Sequence, residues 1–579
     1  MKQQAQHLYE FGPFQIDPEE RELLREGKPV HLAIKAFDTL LILIRNSGHL
    51  IEKSELMRAV WADSFVEEGN LTVAISMIRK ALADYGDEHR YIQTVAKRGY
   101  RFVHDVRKVV KPEPILPAPF VKIRALAVLP FRPMNSDSDH EYLSLGLADA
   151  IITKLARTGQ IIVRPTSAVL KYTTSPVDLL AVAREQGVDA VLSGCIETFP
   201  DRVRVTVQLV HEGDESLLWA DTFEEKRQRI FTLEDEIAKR IAQWMSIGLA
   251  GEREIRLARP NTENPKAYQL YLEGRYFWNK RTEEGLRRSI DYYRKATAED
   301  PQYALAYAGL ADSYVLLDSY GVEPAFQAFP VAKAAALKAL QLDNSLAEPH
   351  ASLGMVYFYY EWNWPAAEHE FQRAVALNPN YVLAHSWYAL NLGAMGRYKE
   401  ALGQVRRAQE LDSLSLEINT VVGRIHYFGR QYDRSIDAYR KVIDLDAHYA
   451  RAHTRLGMTY AAGGALDDAI HEFEESQRLS PFDPYLPGLL GYAQAVSGST
   501  RKARKLLEQL TEHPPGRYVP ASSVALIWIG LGKPDQALEW LAKAHQSRST
   551  DMVYARTEPL LDPVRSDPRF TALLRQMGL

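Results

Sequence analysis

The sequence predicts a multidomain protein in which an α+β domain, a small α/β domain and an all-α array of paired helices follow one another. Three observations support this prediction. Four prolines fall within eight positions at 112–119, strand-like and helix-like stretches alternate in the middle of the chain, and the C-terminal part repeats with one period. The predicted domains cover residues 1–107, 121–250 and 265–579, with a proline-rich linker at 108–120.

Length, charge and composition narrow the classes of protein. The chain has 579 residues, well above the roughly 100–200 residues of one domain. Its net charge of −4 means that any contact with nucleic acid needs a local basic patch. The single cysteine, Cys195, excludes a disulfide or a thiolate metal site within one chain. The purest apolar runs, at 40–44 and 524–530, are far shorter than the roughly 20 residues that cross a bilayer, so we expect a cytoplasmic protein without membrane contact.

The chain lacks the short motifs on which an enzyme assignment would rest. It contains no phosphate-binding P-loop, no G-x-S-x-G and no H-E-x-x-H sequence. We therefore predict no catalytic residues, no metal site and no cofactor.

The first domain begins with strand-like pieces and continues with three helical patterns and a hairpin. The strand-like pieces lie at 9–17 and 21–32, the helices at 33–48, 52–61 and 69–82, and the hairpin at 91–103.

The third helix has one apolar face and one mixed face. At 100° per residue, Leu71, Ile75, Ile78 and Leu82 fall together and form the predicted core face. The other side chains are small, hydroxyl-bearing, thioether or cationic; Val73, Ser76, Met77 and Lys80 point outward, with Thr72 and Arg79 on one flank and Asn70 on the other. Such a face offers hydrogen bonds, methyl contacts and phosphate neutralisation to a DNA major groove.

The hairpin supplies further positive charge. Lys97 and Arg98 precede Gly99, whose missing Cβ suits a tight turn, and Arg101 follows on the second strand. Residues 79–101 contain six basic and three acidic side chains, although residues 1–105 are slightly acidic as a whole. The predicted DNA contacts are Asn70, Thr72, Val73, Ser76, Met77, Arg79, Lys80, Lys97, Arg98 and Arg101. For any one of these residues taken alone, the simpler interpretation is a solvent-exposed position on a surface helix that carries a few cations.

Residues 9–103 resemble the winged helix-turn-helix domain of OmpR/PhoB-type transcription factors, especially the CadC/ToxR branch. The resemblance rests on "NLT…IS.IRKAL" in the third helix and "YIQTVAKRGYRF" in the hairpin. It implies that residues 70–80 face a groove of double-stranded DNA and that Lys97 and Arg98 form a wing on its backbone or minor groove. CadC/ToxR proteins carry a membrane helix where this sequence has its proline-rich linker, and no receiver domain precedes the winged helix here. We therefore expect neither membrane sensing nor aspartate phosphorylation.

The middle region is predicted to form an α/β domain. Strands are predicted at 125–131, 161–165, 190–199 and 202–210, and helices at 141–158, 178–188 and 230–245. The pattern resembles the N-terminal domain of the periplasmic TolB protein. No phosphate-cradling loop is present, so binding of a small-molecule signal here is a weaker hypothesis than a role as spacer or oligomerisation surface.

Small residues recur in steps of 34 in the third region. They are Ala367, Ala401, Ser435, Ala469, Ala503 and Ala537, and the apolar residues Leu377, Leu411, Leu445 and Leu479 keep the same step before predicted helix ends. This period is typical of helix-pair repeats, and the region resembles tetratricopeptide repeats. We expect seven or eight repeats, irregular before Ala367, that fold independently of residues 1–250. His350, His385 and His453 occupy similar places in different repeats, at least one repeat apart, which favours packing or capping over metal binding.

Two functions of different class follow from these domains. The leading hypothesis is a transcriptional regulator that binds DNA through its first domain and a protein or peptide in the concave groove of its repeats. The alternative is a scaffold whose winged helix contacts protein rather than DNA. A homodimer on DNA is left open, as are the operator, the direction of regulation and the inducing signal.

Overall fold

The computed structural model consists of two compact units, Met1–Val121 and Lys122–Leu579. The structure describes residues 7–18, 21–25, 28–30, 32–61, 68–82, 90–110, 123–134, 141–173, 177–213, 216–226, 229–245, 262–319, 325–481, 483–512 and 519–579. No helix in the described part of the chain combines the length and apolarity that crossing a membrane requires.

The described residues of the first unit form two small sheets and three helices. Its strands are β1 (His7–Phe11), β2 (Phe14–Asp17), β3 (Glu22–Arg25), β4 (Lys28–Pro29), β5 (Leu50–Glu52), β6 (Ile92–Val95), β7 (Gly99–Phe102) and β8 (Arg107–Val110). Its helices are α1 (Ile34–Arg45), α2 (Lys53–Val60) and α3 (Glu68–Leu82). The strands pair in the orders β4-β3-β2-β1-β8 and β5-β7-β6. This confirms the predicted winged helix, with β6 and β7 as the wing.

Strand β8 was not predicted. It pairs antiparallel with β1, so residues 108–110, the first three of the predicted linker, belong to the N-terminal sheet. Residues 111–120, which include all four linker prolines, lie outside the described residues.

An aromatic cluster joins the N-terminal sheet to the wing. The rings of Phe11 and Phe102 meet edge to face with centroids 5.2 Å apart, and those of Phe14 and Tyr91 with centroids 5.7 Å apart. All four side chains are at least 95 % buried. Because edge-to-face pairs favour one relative orientation, this cluster fixes the wing strands on the rest of the unit.

The second unit begins with the α/β domain. Its strands are β9 (Ala125–Val128), β10 (Arg132–Pro133), β11 (Ile162–Val163), β12 (Ala190–Thr198), β13 (Arg202–His211) and β14 (Leu217–Lys226). Its helices are α4 (Glu141–Arg157), α5 (Thr166–Val169), α6 (Leu179–Gln186) and α7 (Ile230–Trp244). The strands pair in the order β11-β9-β12-β13-β14, with β10 beside β12. The predicted strands and helices are therefore present, whereas β10, β14 and α5 are additions.

The described residues that follow form eight helix pairs, within the predicted seven or eight repeats. The helices are α8 (Pro265–Asn279), α9 (Glu283–Glu299), α10 (Ala304–Ser319), α11 (Ala325–Leu342), α12 (Ala347–Met355), α13 (Trp364–Leu377), α14 (Val382–Ala394), α15 (Tyr398–Leu411), α16 (Leu416–Phe428), α17 (Tyr432–Leu445), α18 (Ala450–Gly463), α19 (Leu466–Leu479), α20 (Leu486–Val496), α21 (Thr500–Thr511), α22 (Ala521–Gly530) and α23 (Pro534–Gln546). A final helix, α24 (Pro568–Gln576), follows two 3₁₀ turns at Thr550–Tyr554 and Pro559–Val564.

The 34-residue register marks the helix crossings. All six small residues of the register, from Ala367 to Ala537, are fully buried. The first helix of a pair adds glycines at the same period: a Cβ on Gly423 would lie 2.6 Å from the Tyr439 ring, and one on Gly457 would lie 2.7 Å from Phe473. Because paired helices approach this closely, larger side chains would force them apart.

The α/β domain and the first repeat share one hydrophobic core. Tyr268 and Leu272 of α8 are 2 % exposed and pack with the apolar residues of the α/β sheet and helices. The Tyr268 hydroxyl also donates to Glu234 of α7, which accepts a second bond from Lys154 at 2.6 Å. Because the two share this core, the packing argues against the prediction that the array folds independently of residues 1–250.

The C-terminal segment 550–579 returns to the middle of the array. The Tyr554 and Tyr359 hydroxyls are hydrogen-bonded, and the Trp364 indole Nε1 donates to the Met577 carbonyl at 2.7 Å. Asp562 accepts from Arg430 at 2.8 Å. The array is therefore bounded by the α/β domain and by its own C-terminal segment.

Candidate functional site

Helix α3 buries the predicted face. Leu71, Ile75, Ile78 and Leu82 are each at most 2 % exposed, and Ala74 joins them at 4 %. They pack against the core of the first unit together with α1 and the sheets. The helix is thus held by its apolar stripe, and its opposite face is left to solvent.

The outward face of α3 is exposed as predicted. Val73 and Met77, one turn apart, are 56 % and 47 % exposed, a large fraction for apolar side chains. The exposed polar residues beside them are Asn70, Thr72, Ser76 and Lys80. This face can present methyl, thioether, hydroxyl and ammonium groups to the edges of bases in a major groove.

Arg79 connects the helix to the wing. Its guanidinium Nη2 donates to the Ile92 carbonyl and to the Thr94 hydroxyl, both at 2.8 Å. The side chain is half-buried, unlike its exposed neighbour Lys80. Arg79 therefore positions α3 against β6 within the unit, and a DNA contact from it stays a prediction.

The wing tip carries two exposed cations. Lys97 has a left-handed backbone with φ of +62°, and the Arg98 N–H donates to Val95 at 3.0 Å, which closes the turn. The Arg98 carbonyl accepts from the Lys53 amide at 3.1 Å. Among the residues that the structure describes, neither Lys97 nor Arg98 forms an ion pair. Both charges are available to a phosphate.

Gly99 has a different role from the one predicted. The left-handed residue of the turn is Lys97, whereas a Cβ on Gly99 would lie 1.9 Å from the Ile51 carbonyl oxygen. Glycine is needed because β5 and β7 approach closely at this point, where Glu52 pairs with Gly99.

Arg101 lies further from the wing tip. It stands on β7 opposite Gln93 of β6 and Leu50 of β5, and it is half-buried. Of the ten predicted contact residues, eight are exposed, while Arg79 and Arg101 are partly buried. Whether each touches DNA stays a prediction.

A second candidate site lies in the second unit. A cavity of about 1490 Å³ is lined by residues of helices α4 and α5, of the repeats and of the C-terminal segment. It exceeds the roughly 300–1,000 Å³ of pockets for small ligands. An extended peptide in the predicted concave groove would share this space with residues 550–579.

Charged side chains are paired where the α/β domain meets the cavity. The Arg275 guanidinium donates from Nε and Nη2 to Asp149 at 2.7 and 2.8 Å, and the Thr166 hydroxyl donates to Asp149 at 2.5 Å.

Burial raises the pKa of Asp312 to about 7, although a hydrogen bond from the Ser352 hydroxyl opposes the shift. Near neutral pH, Asp312 is therefore protonated in a substantial fraction of the molecules.

The recurring histidines make hydrogen bonds between neighbouring helices. His385 Nδ1 lies 2.7 Å from the Gln404 side-chain oxygen, and its Nε2 lies 3.0 Å from the Pro379 carbonyl. One 68-residue double step later, His453 repeats this arrangement with Glu472 at 2.7 Å and Ala447 at 3.2 Å. These contacts agree with the predicted packing role.

Sequence reasoning missed the residues that line the cavity. A usable signal was present at Asp312, an acidic residue within the otherwise apolar stretch "ALAYAGLADSYVLL" at 304–317. A buried carboxylate in such a helix indicates a polar partner or a cavity. The return of the C-terminal segment had no comparable signal, because it depends on contacts some 190 residues apart.

Three parts of the chain match models of known families. Residues 27–102 match the C-terminal domain of transcriptional regulatory proteins, residues 122–240 the second domain of HilA/YgeH-like transcriptional regulators, and residues 423–484 the tetratricopeptide repeat. The middle domain therefore matches a regulator domain, whereas its predicted likeness to TolB stays a prediction.

Individual relatives agree with these matches. The transcriptional regulator HilA of Salmonella paratyphi A is 27 % identical over 495 residues, which cover 84 % of this chain and 80 % of HilA. The transcriptional activator CadC of Escherichia coli is 31 % identical over 99 residues, 17 % of this chain and 19 % of CadC. A putative adenylate cyclase of Rhizobium meliloti is 30 % identical over 205 residues, 35 % of this chain and 34 % of that protein. The chain thus combines an OmpR/PhoB-type winged helix, a HilA-like regulator domain and tetratricopeptide repeats.

Proposed function

We propose that this protein is a DNA-binding transcriptional regulator in which α3 reads base edges and the β6–β7 wing contacts the phosphate backbone. One observation carries the proposal: eight of the ten predicted contact residues are exposed, although the opposite face of the same helix is buried. The core face of α3 is buried and apolar, yet Val73 and Met77 on its other side are exposed to solvent. Exposed apolar side chains beside each other indicate a contact surface.

The relatives favour this function over the scaffold alternative. HilA and CadC are named as transcriptional regulator and activator, and the HilA match extends through most of both chains. A winged helix used only for protein contact would not need two wing-tip cations that form no ion pair with any described residue. Lys97 and Arg98 suit phosphate oxygens, which accept from cationic donors without regard to sequence.

We propose that the repeat array binds a protein or peptide partner. Tetratricopeptide repeats stack into a curved surface that suits such partners. Because residues 550–579 already contact the middle repeats, the partner either binds beside this segment or displaces it. A homodimer on DNA is included in the proposal, since paired winged helices bind two half-sites about one helical turn apart.

We further propose that the protein is not an enzyme and acts in the cytoplasm, where a bacterial-type regulator reaches the chromosome. The matched family models describe regulator and repeat domains rather than catalytic ones. The cyclase relative covers a third of the chain, and its printed name does not transfer to this chain.

The proposal is tested by selecting bound duplexes from random DNA with the full-length protein. We expect an enriched sequence whose binding weakens steeply with salt, by a log–log slope near −0.9 for each phosphate contact. The scaffold alternative predicts no enrichment and no duplex binding that depends on Lys97 and Arg98.

A further inference from the structure

Three arginines face the cavity from two successive repeats. Arg451 and Arg455 lie one turn apart on α18, and Arg424 lies on α16 of the preceding repeat. All three line the cavity wall, and we call them the arginine cluster. Residues at i and i+4 of a helix point to the same side, so Arg451 and Arg455 extend in one direction.

Two members of the cluster have no carboxylate of their own. Arg451 is paired with Glu417 at 2.9 Å. In the described part of the chain, Arg455 forms no ion pair, and its Nη1 lies 3.2 Å from the Met458 sulfur. The Arg424 guanidinium lies over the Tyr554 ring, 4.0 Å from its centroid, and its Nε is buried without a hydrogen-bond acceptor among the described residues.

A neighbouring carboxylate, Glu558, attracts both arginines but is already hydrogen-bonded. Glu558 accepts from the Tyr427 hydroxyl and, at 3.1 Å, from the Leu560 amide. Burial raises the pKa of Glu558, although hydrogen bonds from Tyr427 and Leu560 oppose the shift. Burial and the neighbouring Arg424 both lower the pKa of Arg455, whereas Tyr439 and Glu558 oppose the shift.

We propose that the arginine cluster binds the phosphate or carboxylate group of a small organic anion held in the cavity. Guanidinium groups match the geometry of both oxyanions, and a buried charge without a partner is unfavourable until an anion neutralises it. The rings of Tyr359 and Tyr554 lie beside the cluster in the cavity wall, with their centroids 6.2 Å apart. The proposal does not depend on DNA binding, because it concerns the second unit alone.

The test measures the thermal unfolding of the full-length protein with pyrophosphate or citrate, against sodium chloride at equal ionic strength. We expect one of these anions to raise Tm saturably, because a ligand that binds only the folded state stabilises it. A tetraglutamate peptide is the third arm. If the peptide raises Tm and neither small anion does, or if no probe does, the proposal is wrong.

Variants identify the site. In Arg424→Gln/Arg455→Met, the apparent affinity for the anion should fall about tenfold or more, because charge-assisted hydrogen bonds are lost. The matched control Arg434→Gln, at an exposed position of α17, should keep the wild-type response. Without any anion, Arg455→Met alone should unfold at a higher temperature than wild type, since it removes a half-buried cation that forms no ion pair with a described residue. An unchanged anion response in the double variant would place the anion elsewhere and overturn the proposal.

Discussion

The side-chain amide of Asn380 in the array donates to the Ile161 carbonyl of the α/β domain at 2.7 Å. It also donates to Ala156 at 3.1 Å, and its own oxygen accepts from Arg407 at 2.8 Å. Asn380 is buried, at 5 % exposure. One side chain thus satisfies two carbonyls at the junction between domain and repeats.

Removing this amide should weaken the junction. Asn380→Ala removes the side-chain donor of the Ile161 carbonyl, while the Ala156 carbonyl keeps only the Gly159 amide at 3.1 Å, and we expect a loss of about 1–3 kcal/mol in the free energy of unfolding. Urea unfolding of the full-length protein measures it, with the exposed Gln477→Ala as control. A loss no larger than that of the control would mean that the junction does not depend on Asn380.

Arg79 should matter for the stability of the winged helix. Arg79→Met removes the hydrogen bonds to Ile92 and Thr94, and we expect the first unit to lose about 1–2 kcal/mol of stability. Arg98→Met, which removes an exposed cation, serves as control and should leave stability within about 0.5 kcal/mol. Hydrogen exchange of the β6 amides locates the effect; equal protection in the two variants would contradict the positioning role.

Ala469 tests the register of the repeats. It is fully buried, and the neighbouring Gly457 admits no larger side chain, since an added Cβ would lie 3.1 Å from the Ala469 carbonyl oxygen. Ala469→Trp should destabilise the second unit by about 1–3 kcal/mol or more through overpacking. Gln477→Trp, on the exposed side of the same helix, is the size-matched control. Equal melting temperatures for the two variants would show that Ala469 is not at a helix crossing.

Asp312 should make the stability of the second unit depend on pH. Its pKa of about 7 in the folded state exceeds the roughly 3.9 of an unfolded aspartate, so the folded state binds the proton more tightly. This contribution to stability is complete below pH 4 and is lost as the pH rises through 7. Between pH 6 and 8 we expect a loss of about 1 kcal/mol.

Two variants isolate that effect. Asp312→Asn should flatten the dependence of stability on pH between 6 and 8, whereas Asp437→Asn, at an exposed position of the array, should leave it as in wild type. Chemical unfolding at several pH values provides the measurement. An unaltered slope in Asp312→Asn would assign the pH dependence to other groups.

Sequence patterns predicted those features that depend on local periodicity. The helical spacing of Leu71, Ile75 and Ile78 identified the buried face of α3, and the 34-residue step of Ala401 and Ala469 identified the helix crossings, because each signal repeats along the chain. Strand β14 was not predicted because it is a largely exposed edge strand without regular alternation of apolar and polar residues, and Phe223 is its one buried residue.

Features that depend on distant contacts were not predictable from local patterns. The spacing places Arg79 on the flank of the predicted DNA-contacting face. Its hydrogen bond to Thr94, however, requires the hairpin to lie against α3. The need for glycine at position 99 comes from Ile51, 48 residues earlier. The arginine cluster is likewise set by how successive repeats stack, which spacing within one repeat does not reveal.

In the proposed function, α3 reads the DNA sequence and the wing supplies affinity. The most direct test compares Lys97→Ala/Arg98→Ala with Ser76→Ala and Met77→Ala, binding a selected site and a scrambled duplex at three salt concentrations. We expect the wing variant to weaken both duplexes alike and to lower the salt slope by roughly two, about 0.9 per phosphate contact.

The α3 variants should instead change the preference between the two duplexes, by about 1–3 kcal/mol per disrupted base contact, with a nearly unchanged salt slope. If Ser76→Ala and Met77→Ala lose affinity equally for both duplexes, α3 does not read bases and the account is wrong.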